Sequence, residues 1–142
     1  MKRIIVATDG SPGANRALDM AVRMAKVGNC ELTILTVGGN VTGAELRRLA
    51  AIDGDLGRSL TENADHILER ARKRAQRLGM ASVKLQVEWG DPAETIIDTV
   101  RREKADILVV GRRGQGRLSA LLLGSVSRKL ASLAPCAVLV VP

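Results

Sequence analysis

The sequence predicts an α/β fold: a single doubly wound domain in which a five-stranded parallel sheet carries helices on both faces. Short runs of Val, Ile and Leu alternate with amphipathic helical patterns along the whole chain. The runs at 3–8, 106–111 and 137–141 are almost continuously apolar, as expected of parallel strands that are buried on both faces. A length of 142 residues suits one domain, so we assign residues 1–142 to a single unit.

The first half of the chain contains two predicted strands separated by a helix. The strand Arg3–Thr8 ends at Asp9-Gly10. Ser11-Pro12 then supplies a helix N-cap followed by a proline at the first helical position. Gly28-Asn29 ends this helix, and Glu31–Val37 forms the second strand.

The segment Gly38–Gly57 has the weakest pattern in the chain. It is rich in Gly and Asp around a short helical pattern at Ala44–Ala51. We therefore expect a loop or insertion that lies over one end of the sheet. A long amphipathic helix follows over Leu60–Leu78 and is stopped by Gly79.

The second half of the chain completes the alternation of strands and helices. Asp91-Pro92 is a strong helix start because an N-cap precedes a proline at the first helical position. This helix begins directly after the third predicted strand. The remaining elements are strands at Ser82–Trp89, Asp106–Gly111 and Ala137–Val141, with a helix at Leu122–Leu133 between the last two.

The composition excludes some functions and concentrates positive charge in the last quarter of the chain. The formal net charge is +7, and from Ile107 onward there are five basic residues and no acid. Trp89 is the only aromatic residue, so a surface that stacks nucleic-acid bases on several aromatic rings is excluded and nucleic acid is an unlikely partner. No apolar stretch is long enough to span a membrane. A basic excess is compatible with nucleic acid, an acidic surface or a small anionic ligand, and its concentration in the last quarter of the chain requires a local explanation.

A glycine-rich segment follows the fourth predicted strand. The spacing is Gly111-x2-Gly114-x9-Gly124-Ser125, with Arg112, Arg113 and Arg117 beside the glycines. Glycines let the main chain approach a ligand closely, and the N–H groups at the start of the next helix form an anion site. The hydroxyls of Ser125 and Ser127 can add hydrogen bonds. Paired guanidinium groups at Arg112-Arg113 either strengthen phosphate binding or point to solvent.

This spacing differs from the better-known phosphate loops. The Lys-Ser/Thr pair of a P-loop is absent, and the first strand is not followed by GxGxxG. The glycine pattern, together with Ile5-Val6-Ala7-Thr8-Asp9-Gly10-Ser11, Gly90-Asp91-Pro92-Ala93 and the ending 134–142, closely resembles the universal stress protein family. The resemblance covers the whole chain. It places this sequence with the family members that carry the glycine pattern and bind ATP or related adenine nucleotides.

The resemblance implies a strand order of 3-2-1-4-5 and a Rossmann-like site at the switch point between the first and fourth strands. The Val37 main chain is then expected to contact adenine, and Asp9 to lie near the ribose and phosphates. A divalent metal, Mg or Mn, would sit mainly on phosphate oxygens. The full set of expected binding residues is Ala7, Thr8, Asp9, Val37, Gly111, Arg113, Gly114, Gly124, Ser125, Val126 and Ser127. Thr8 and Ser11 also have ordinary roles open to them in a turn and a helix cap.

Several expectations concern activity and partners. His66, the only histidine, lies on a helix away from the switch-point loops, so we expect no enzyme and identify no general base for ATP hydrolysis. The resemblance implies a cytoplasmic stress protein and a homodimer. The apolar last strand, 137–141, would pair across that dimer because an exposed apolar edge is otherwise a liability. Two alternatives stay open: a nucleotide-independent dimeric scaffold or chaperone-like protein, and a binder of AMP or cyclic AMP.

Overall fold

The computed structural model describes residues 2–39, 41–112 and 124–142. Its strands are β1 (Arg3–Ala7), β2 (Glu31–Val37), β3 (Lys84–Glu88), β4 (Ile107–Gly111) and β5 (Ala137–Val141). Its helices are α1 (Pro12–Gly28), α2 (Gly43–Ile52), α3 (Gly54–Arg77), α4 (Pro92–Arg102) and α5 (Ser125–Leu133). In the part of the chain that is described, no helix is both long enough and apolar enough to cross a membrane.

The five strands form one parallel sheet in the order β3-β2-β1-β4-β5. This confirms the predicted fold class and strand order. One apolar core lies between the sheet and helices α1 and α3. A second core lies on the opposite face, under α4 and α5. The strand order reverses between β1 and β4, so the loops after these two strands leave the sheet in opposite directions and open a crevice at its carboxyl edge.

Helices α1 and α4 begin where the sequence predicts, because each has a matched N-cap and proline. The Ser11 hydroxyl accepts a hydrogen bond from the Ala14 N–H at 3.2 Å, and Pro12 is the first helical residue. Asp91 caps α4 in the same way by accepting a hydrogen bond from the Glu94 N–H at 3.0 Å. Both N-termini therefore face the carboxyl edge of the sheet, as a βαβ unit requires.

The segment Gly38–Gly57 is largely helical, so the expectation of a loop is wrong, but the short helix expected at Ala44–Ala51 is present within α2. Helix α2 is longer than the expected short helix, and α3 starts at Gly54 and not near Leu60. Asp53 and Gly57, which suggested a loop, have structural roles in the two helices. Asp53 caps α3 by accepting from two N–H groups. A side chain on Gly57 would come within 2.7 Å of the Ala50 Cβ atom, so glycine allows α2 and α3 to pack closely.

Other element bounds differ from expectation by one or two residues at their ends. β1 stops at Ala7, β3 covers only Lys84–Glu88, and β4 starts at Ile107. The predicted final helix began at Leu122, which lies outside the described residues, and the described helix runs from Ser125 to Leu133. Strand ends are the least determined by sequence pattern, because pairing with the neighbouring strand sets them.

A bidentate ion pair joins α1 to α3 across the surface of the first core. The Arg74 guanidinium donates to both carboxylate oxygens of Asp19, at 2.6 and 2.8 Å. This hydrogen bonding lowers the pKa of Asp19 below its ordinary value, although burial opposes the shift. Because the carboxylate ionises more readily in the folded protein, the pair stabilises the fold above the unfolded-state pKa, about 3.9, and this stabilisation disappears as the pH falls through the lower folded-state pKa.

We expect Asp19→Asn to lower the free energy of unfolding by about 1 kcal/mol at pH 7, because it breaks a partly buried bidentate pair. The difference from wild type should narrow as the pH is lowered from about 5 towards 2. Urea denaturation at each pH measures it. The matched control is Asp98→Asn, which removes an exposed pair with Arg101 at 3.5 Å and should cost much less. An equal loss in both variants, or a loss that does not depend on pH, would contradict this role for Asp19.

Candidate functional site

The turn after β1 is held by its own side chains. The Thr8 hydroxyl oxygen accepts a hydrogen bond from the Gly10 N–H at 3.1 Å. Asp9 Oδ1 accepts one from the Ser11 N–H at 2.9 Å. Gly10 has a φ of +81°, which favours glycine. Thr8 and Ser11 thus have turn and cap roles, and the half-buried Asp9 is fixed at the mouth of the crevice.

Gly111, the last residue of β4, brings that strand against the start of α1. A Cβ atom at this position would lie 2.9 Å from both the carbonyl carbon and the carbonyl oxygen of Gly13. Main-chain atoms cannot move aside as a flexible side chain can, so a larger residue would push the first turn of α1 away. Glycine at 111 therefore keeps the two loops of the switch point close together.

The N-terminus of α5 lies beside the end of β4, because the Gly124 N–H donates to the Arg112 carbonyl. Its N-cap is Gly124, which has no side chain that could accept hydrogen bonds from the N–H groups of the first turn. Serine, threonine or aspartate fill this role at the starts of α1, α2, α3 and α4. The Gly124 cap thus makes no side-chain hydrogen bond to the first turn of α5, and first-turn N–H groups together with the positive end of a helix dipole favour an anion.

Hydrogen bonds fix both ends of the segment that connects β4 to α5. The Gly124 N–H donates to the Arg112 carbonyl at 2.9 Å, and the Arg112 N–H donates to the Val141 carbonyl at 2.7 Å. The entry and exit of the glycine-rich connection thus lie next to each other on the sheet. Arg113 and Gly114, two of the expected binding residues, lie outside the described residues.

The three residues at the start of α5 have different environments. Ser125 is exposed, so its hydroxyl is accessible at the helix end. The Val126 side chain packs against the second core, which leaves its main-chain N–H as its contribution to a site. The Ser127 hydroxyl is buried and donates to the Gly111 carbonyl at 2.6 Å. Ser127 therefore ties α5 to β4, a structural role that the sequence prediction of a ligand contact did not include.

The main-chain edge of Val37 faces the end of β1. The Leu35 carbonyl accepts from the Thr8 N–H at 2.9 Å, whereas the Gly38 N–H donates to Glu88 of β3 at 2.8 Å. Main-chain groups two residues apart on a strand point the same way, so the N–H and C=O of Val37 are directed towards β1, as those of Leu35 are. Because β1 ends at Ala7, these groups border the turn. Ala7 itself packs against the second core.

Trp89 covers the glycines that follow β2. A Cβ atom on Gly38 would lie only 2.5 Å from Cζ3 of the indole ring, and one on Gly39 would lie 3.9 Å from the same atom. The ring therefore packs closely against Gly38, the residue after Val37, and it is half-buried. The sequence places Trp89 at the end of a strand. Its contact with Gly38 joins residues more than fifty positions apart, so no local sequence pattern predicts it.

The structure brings most of the expected binding residues to one edge of the sheet. The end of β1, the end of β2, the end of β4 and the start of α5 meet there. This group holds Ala7, Thr8, Asp9, Val37, Gly111, Gly124, Ser125, Val126 and Ser127. His66 is exposed on α3.

Comparison with known proteins agrees with this architecture. The model of the universal stress protein family matches residues 1–142. The chain belongs to this family. It is similar to the universal stress protein YxiE of Bacillus subtilis, at 33% identity over 145 residues that cover 98% of this chain and 97% of the relative. It is also similar to the universal stress protein Rv1636 of Mycobacterium tuberculosis, at 32% identity with 99% and 95% covered.

Solved structures of universal stress proteins have the same fold. A universal stress protein in complex with cAMP has a TM-score of 0.77 and 31% identity, with 99% of this chain and 97% of that chain covered. The protein UspA from Lactobacillus plantarum has a TM-score of 0.83 at 24% identity, with the same shares covered; this likeness bears on the fold alone. The five-stranded α/β architecture is therefore that of the family.

Proposed function

We propose that this universal stress protein binds an adenine nucleotide, ATP, at the carboxyl edge of its sheet, and that the nucleotide acts as a regulatory ligand in a cytoplasmic stress response. The observation that carries the proposal is the start of α5 at the switch point, where glycine occupies the N-cap. Anions bind at such helix ends because unpaired N–H groups and the helix dipole act together. The phosphates would lie against Ser125 and the first-turn N–H groups.

Val37 supports adenine as the base. Its main-chain N–H and C=O lie side by side at the edge that faces the end of β1. The Watson–Crick edge of adenine offers one acceptor, N1, beside one donor, the N6 amino group, so it complements a neighbouring N–H and C=O. Guanine presents the reverse pattern. In the same orientation its N1–H donor would face the Val37 N–H, and its O6 acceptor would face the Val37 carbonyl. The related structure in complex with cAMP supports the same class of ligand.

In this role the protein holds and orients the nucleotide and carries out no chemical step on it. Asp9 is held by the Ser11 N–H at the mouth of the crevice, and a carboxylate in this place suits the ribose hydroxyls or a phosphate-bound Mg or Mn ion. When bound, such an ion would neutralise phosphate charge. The residues of the chain would hold and orient the nucleotide, whose binding would stabilise the native state by about 2.7 kcal/mol at 100 times the dissociation constant.

Titration calorimetry with Mg-ATP, AMP, cyclic AMP and Mg-GTP tests this function. We expect ATP to bind with one site per chain and GTP to bind at least about 10-fold more weakly, which is 1.4 kcal/mol. The emission of Trp89, the single tryptophan, should change with ATP because its ring packs against Gly38, the residue after Val37. If AMP or cyclic AMP binds more tightly than ATP, that nucleotide and not ATP is the ligand. If none of the nucleotides binds, the nucleotide-independent scaffold is the correct interpretation.

We also propose that the chain forms a homodimer through β5. β5 is an edge strand of the sheet, and its residues are Ala, Val, Leu, Val and Val. Apolar edge strands are commonly protected by pairing with a second chain. Sedimentation velocity at micromolar concentration should give a dimer, and a monomer would contradict the proposal.

A substitution in β5 makes this test specific. The Val141 carbonyl bonds to Arg112 beside β4, so the main-chain groups of Val138 and Val140 point outward from the sheet. Val138→Pro removes an outward N–H and leaves the β4–β5 ladder intact. We expect this variant to sediment as a monomer that still binds ATP. A dimer of unchanged affinity would place the interface elsewhere.

A further inference from the structure

We propose that the outer surface of α1 and α3 is a docking surface for an acidic segment of a partner protein. We call it the basic face and define it by Arg23 and Lys26 of α1 with Arg70, Lys73 and Arg77 of α3. All five residues are exposed. The proposal is independent of nucleotide binding, because the face lies on the outside of the first core and not at the carboxyl edge of the sheet.

The folding of the two helices places these cations side by side. The buried stripe of α3 contains Ala64, Leu68, Ala71 and Ala75, and α1 buries Ala17, Leu18, Ala21 and Ala25. The cations lie at positions outside these stripes, where the helical period directs side chains to solvent. The Asp19–Arg74 pair joins the two helices, so the rows from α1 and α3 form one continuous surface.

Several cations outside the basic face are paired with carboxylates: Arg3 and Lys84 with Glu31, Arg58 with Asp55, Arg72 with Glu69, Arg101 with Asp98 and Arg102 with Glu88. Within residues 2–39, 41–112 and 124–142, no carboxylate forms an ion pair with any of the five cations of the basic face. Asp19, the acidic residue between the two helices, forms its ion pair with Arg74.

Repulsion among the cations of the basic face costs some stability, although Glu69 attracts Lys73 and Asp19 attracts Arg23. Lys73 and Arg77 are four residues apart, and Arg70 is three residues before Lys73 and four before Arg74, so each pair repels by about 0.2–0.5 kcal/mol. Interaction with the helix dipoles accounts for the positions of only some of these cations. Lys26 and Arg77 lie in the last turns of their helices, where a cation is favourable, whereas Arg23, Arg70 and Lys73 lie before those turns. The cost is offset when an anionic partner is bound.

Carboxylates are the favoured partner groups. The same surface already holds one carboxylate in a two-point bond between Asp19 and Arg74. Val27 and Leu78, which are 87% and 40% exposed, end the two helices beside the cations, and the Lys26 ammonium bonds to the Leu78 carbonyl at 2.9 Å. An acidic segment with aliphatic side chains would contact both the cations and these two residues.

Other anionic partners fit less well. A second copy of the chain fits this face less well than it fits β5, because its own net charge of +7 opposes docking on five cations. Binding of single-stranded nucleic acid draws on aromatic stacking, and the only aromatic residue lies elsewhere. Membrane-surface helices insert several large apolar residues, whereas this face offers one valine and a half-covered leucine.

Fluorescence anisotropy with a labelled 16-residue peptide of Glu and Leu, arranged as an amphipathic helix, tests the proposal on the full chain. We expect binding at 50 mM NaCl that weakens by at least about 10-fold at 300 mM, because exposed charges are screened. The double variant Arg70→Glu/Lys73→Glu should lose at least about 10-fold in affinity. It should remain folded, since each new carboxylate lies four residues before an arginine of the same helix. Thermal unfolding and circular dichroism check this.

The control is Arg47→Glu/Arg48→Glu, which makes the same change in net charge on exposed positions of α2. It should change peptide affinity by less than about 2-fold. Equal losses in the two double variants would show that net charge alone attracts the peptide, and no binding of the peptide would overturn the proposal directly. A 20-base-pair DNA duplex or phosphatidylglycerol vesicles could instead bind to the basic face while the peptide does not. That result would overturn the proposal and would show that the basic face binds phosphate groups.

Discussion

Gly124→Asp is expected to weaken ATP binding strongly and to leave the protein at least as stable as wild type. The aspartate would occupy the N-cap of α5, where its carboxylate accepts hydrogen bonds from the first-turn N–H groups. It would also place a negative charge where we propose that the phosphates lie. Like charges in contact cost several kcal/mol, so the affinity should fall by at least about 100-fold, which is 2.7 kcal/mol. Gly124 has a φ of −66°, so a side chain introduces no backbone strain.

The matched control for this substitution is Gly124→Asn. Asparagine has nearly the same shape and caps a helix about as well, but it carries no charge. The asparagine variant should bind ATP at least about 10-fold more tightly than the aspartate variant. Both variants should unfold at or above the wild-type unfolding temperature. Calorimetry gives the affinities and scanning calorimetry the unfolding temperatures. If the aspartate variant binds ATP as tightly as wild type, the phosphates do not lie at this helix end.

Gly38→Ala is expected to lower the free energy of unfolding by about 1–3 kcal/mol, the usual cost of forcing an extra methyl group into a packed site. The new methyl group would lie 2.5 Å from Cζ3 and 2.6 Å from Cη2 of Trp89, so the ring must move. Displacement exposes the indole, and we expect its emission to shift to longer wavelength. Because the ring packs against the residue after Val37, nucleotide affinity should fall as well.

Gly39→Ala is the neighbouring control. Its methyl group would lie 3.9 Å from the same ring, an ordinary contact, so stability and emission should stay close to wild type. The double variant Gly38→Ala/Trp89→Leu should recover stability relative to Gly38→Ala, because a smaller side chain leaves room for the methyl group. Urea denaturation measures each free energy. Equal effects at positions 38 and 39 would contradict the assigned contact.

Strong local signals made most of the fold predictable from the sequence. The apolar runs at β1, β4 and β5 identify buried parallel strands, and Ser11-Pro12 and Asp91-Pro92 fix the starts of α1 and α4. Alternation of strand and helix then leaves few topologies. The same signals failed at Asp53 and Gly57, which are read locally as loop residues. Their roles, as a cap for α3 and as a contact with Ala50, depend on a second helix that the local pattern does not specify.

The candidate site was predictable in position but not in the detail of its contacts. Glycines and serines before a helix indicate an anion site by their chemistry, and the family resemblance located Val37. The bond from Ser127 to the Gly111 carbonyl, the packing of Gly111 on Gly13, and the contact of Trp89 with Gly38 all join distant segments. Such contacts arise from the packing of the sheet and have no signal in residue spacing.

Backbone amide chemical shifts during titration show whether a nucleotide binds at the carboxyl edge of the sheet. With ¹⁵N-labelled protein, adenosine should move the amide signal of Val37, and inorganic tripolyphosphate should move those of Ser125 and Val126 at the start of α5. ATP should move both sets at once and saturate them with one affinity. Shifts confined to other parts of the chain, such as the amino ends of the strands, or no shifts with ATP, would contradict a nucleotide site at the carboxyl edge of the sheet.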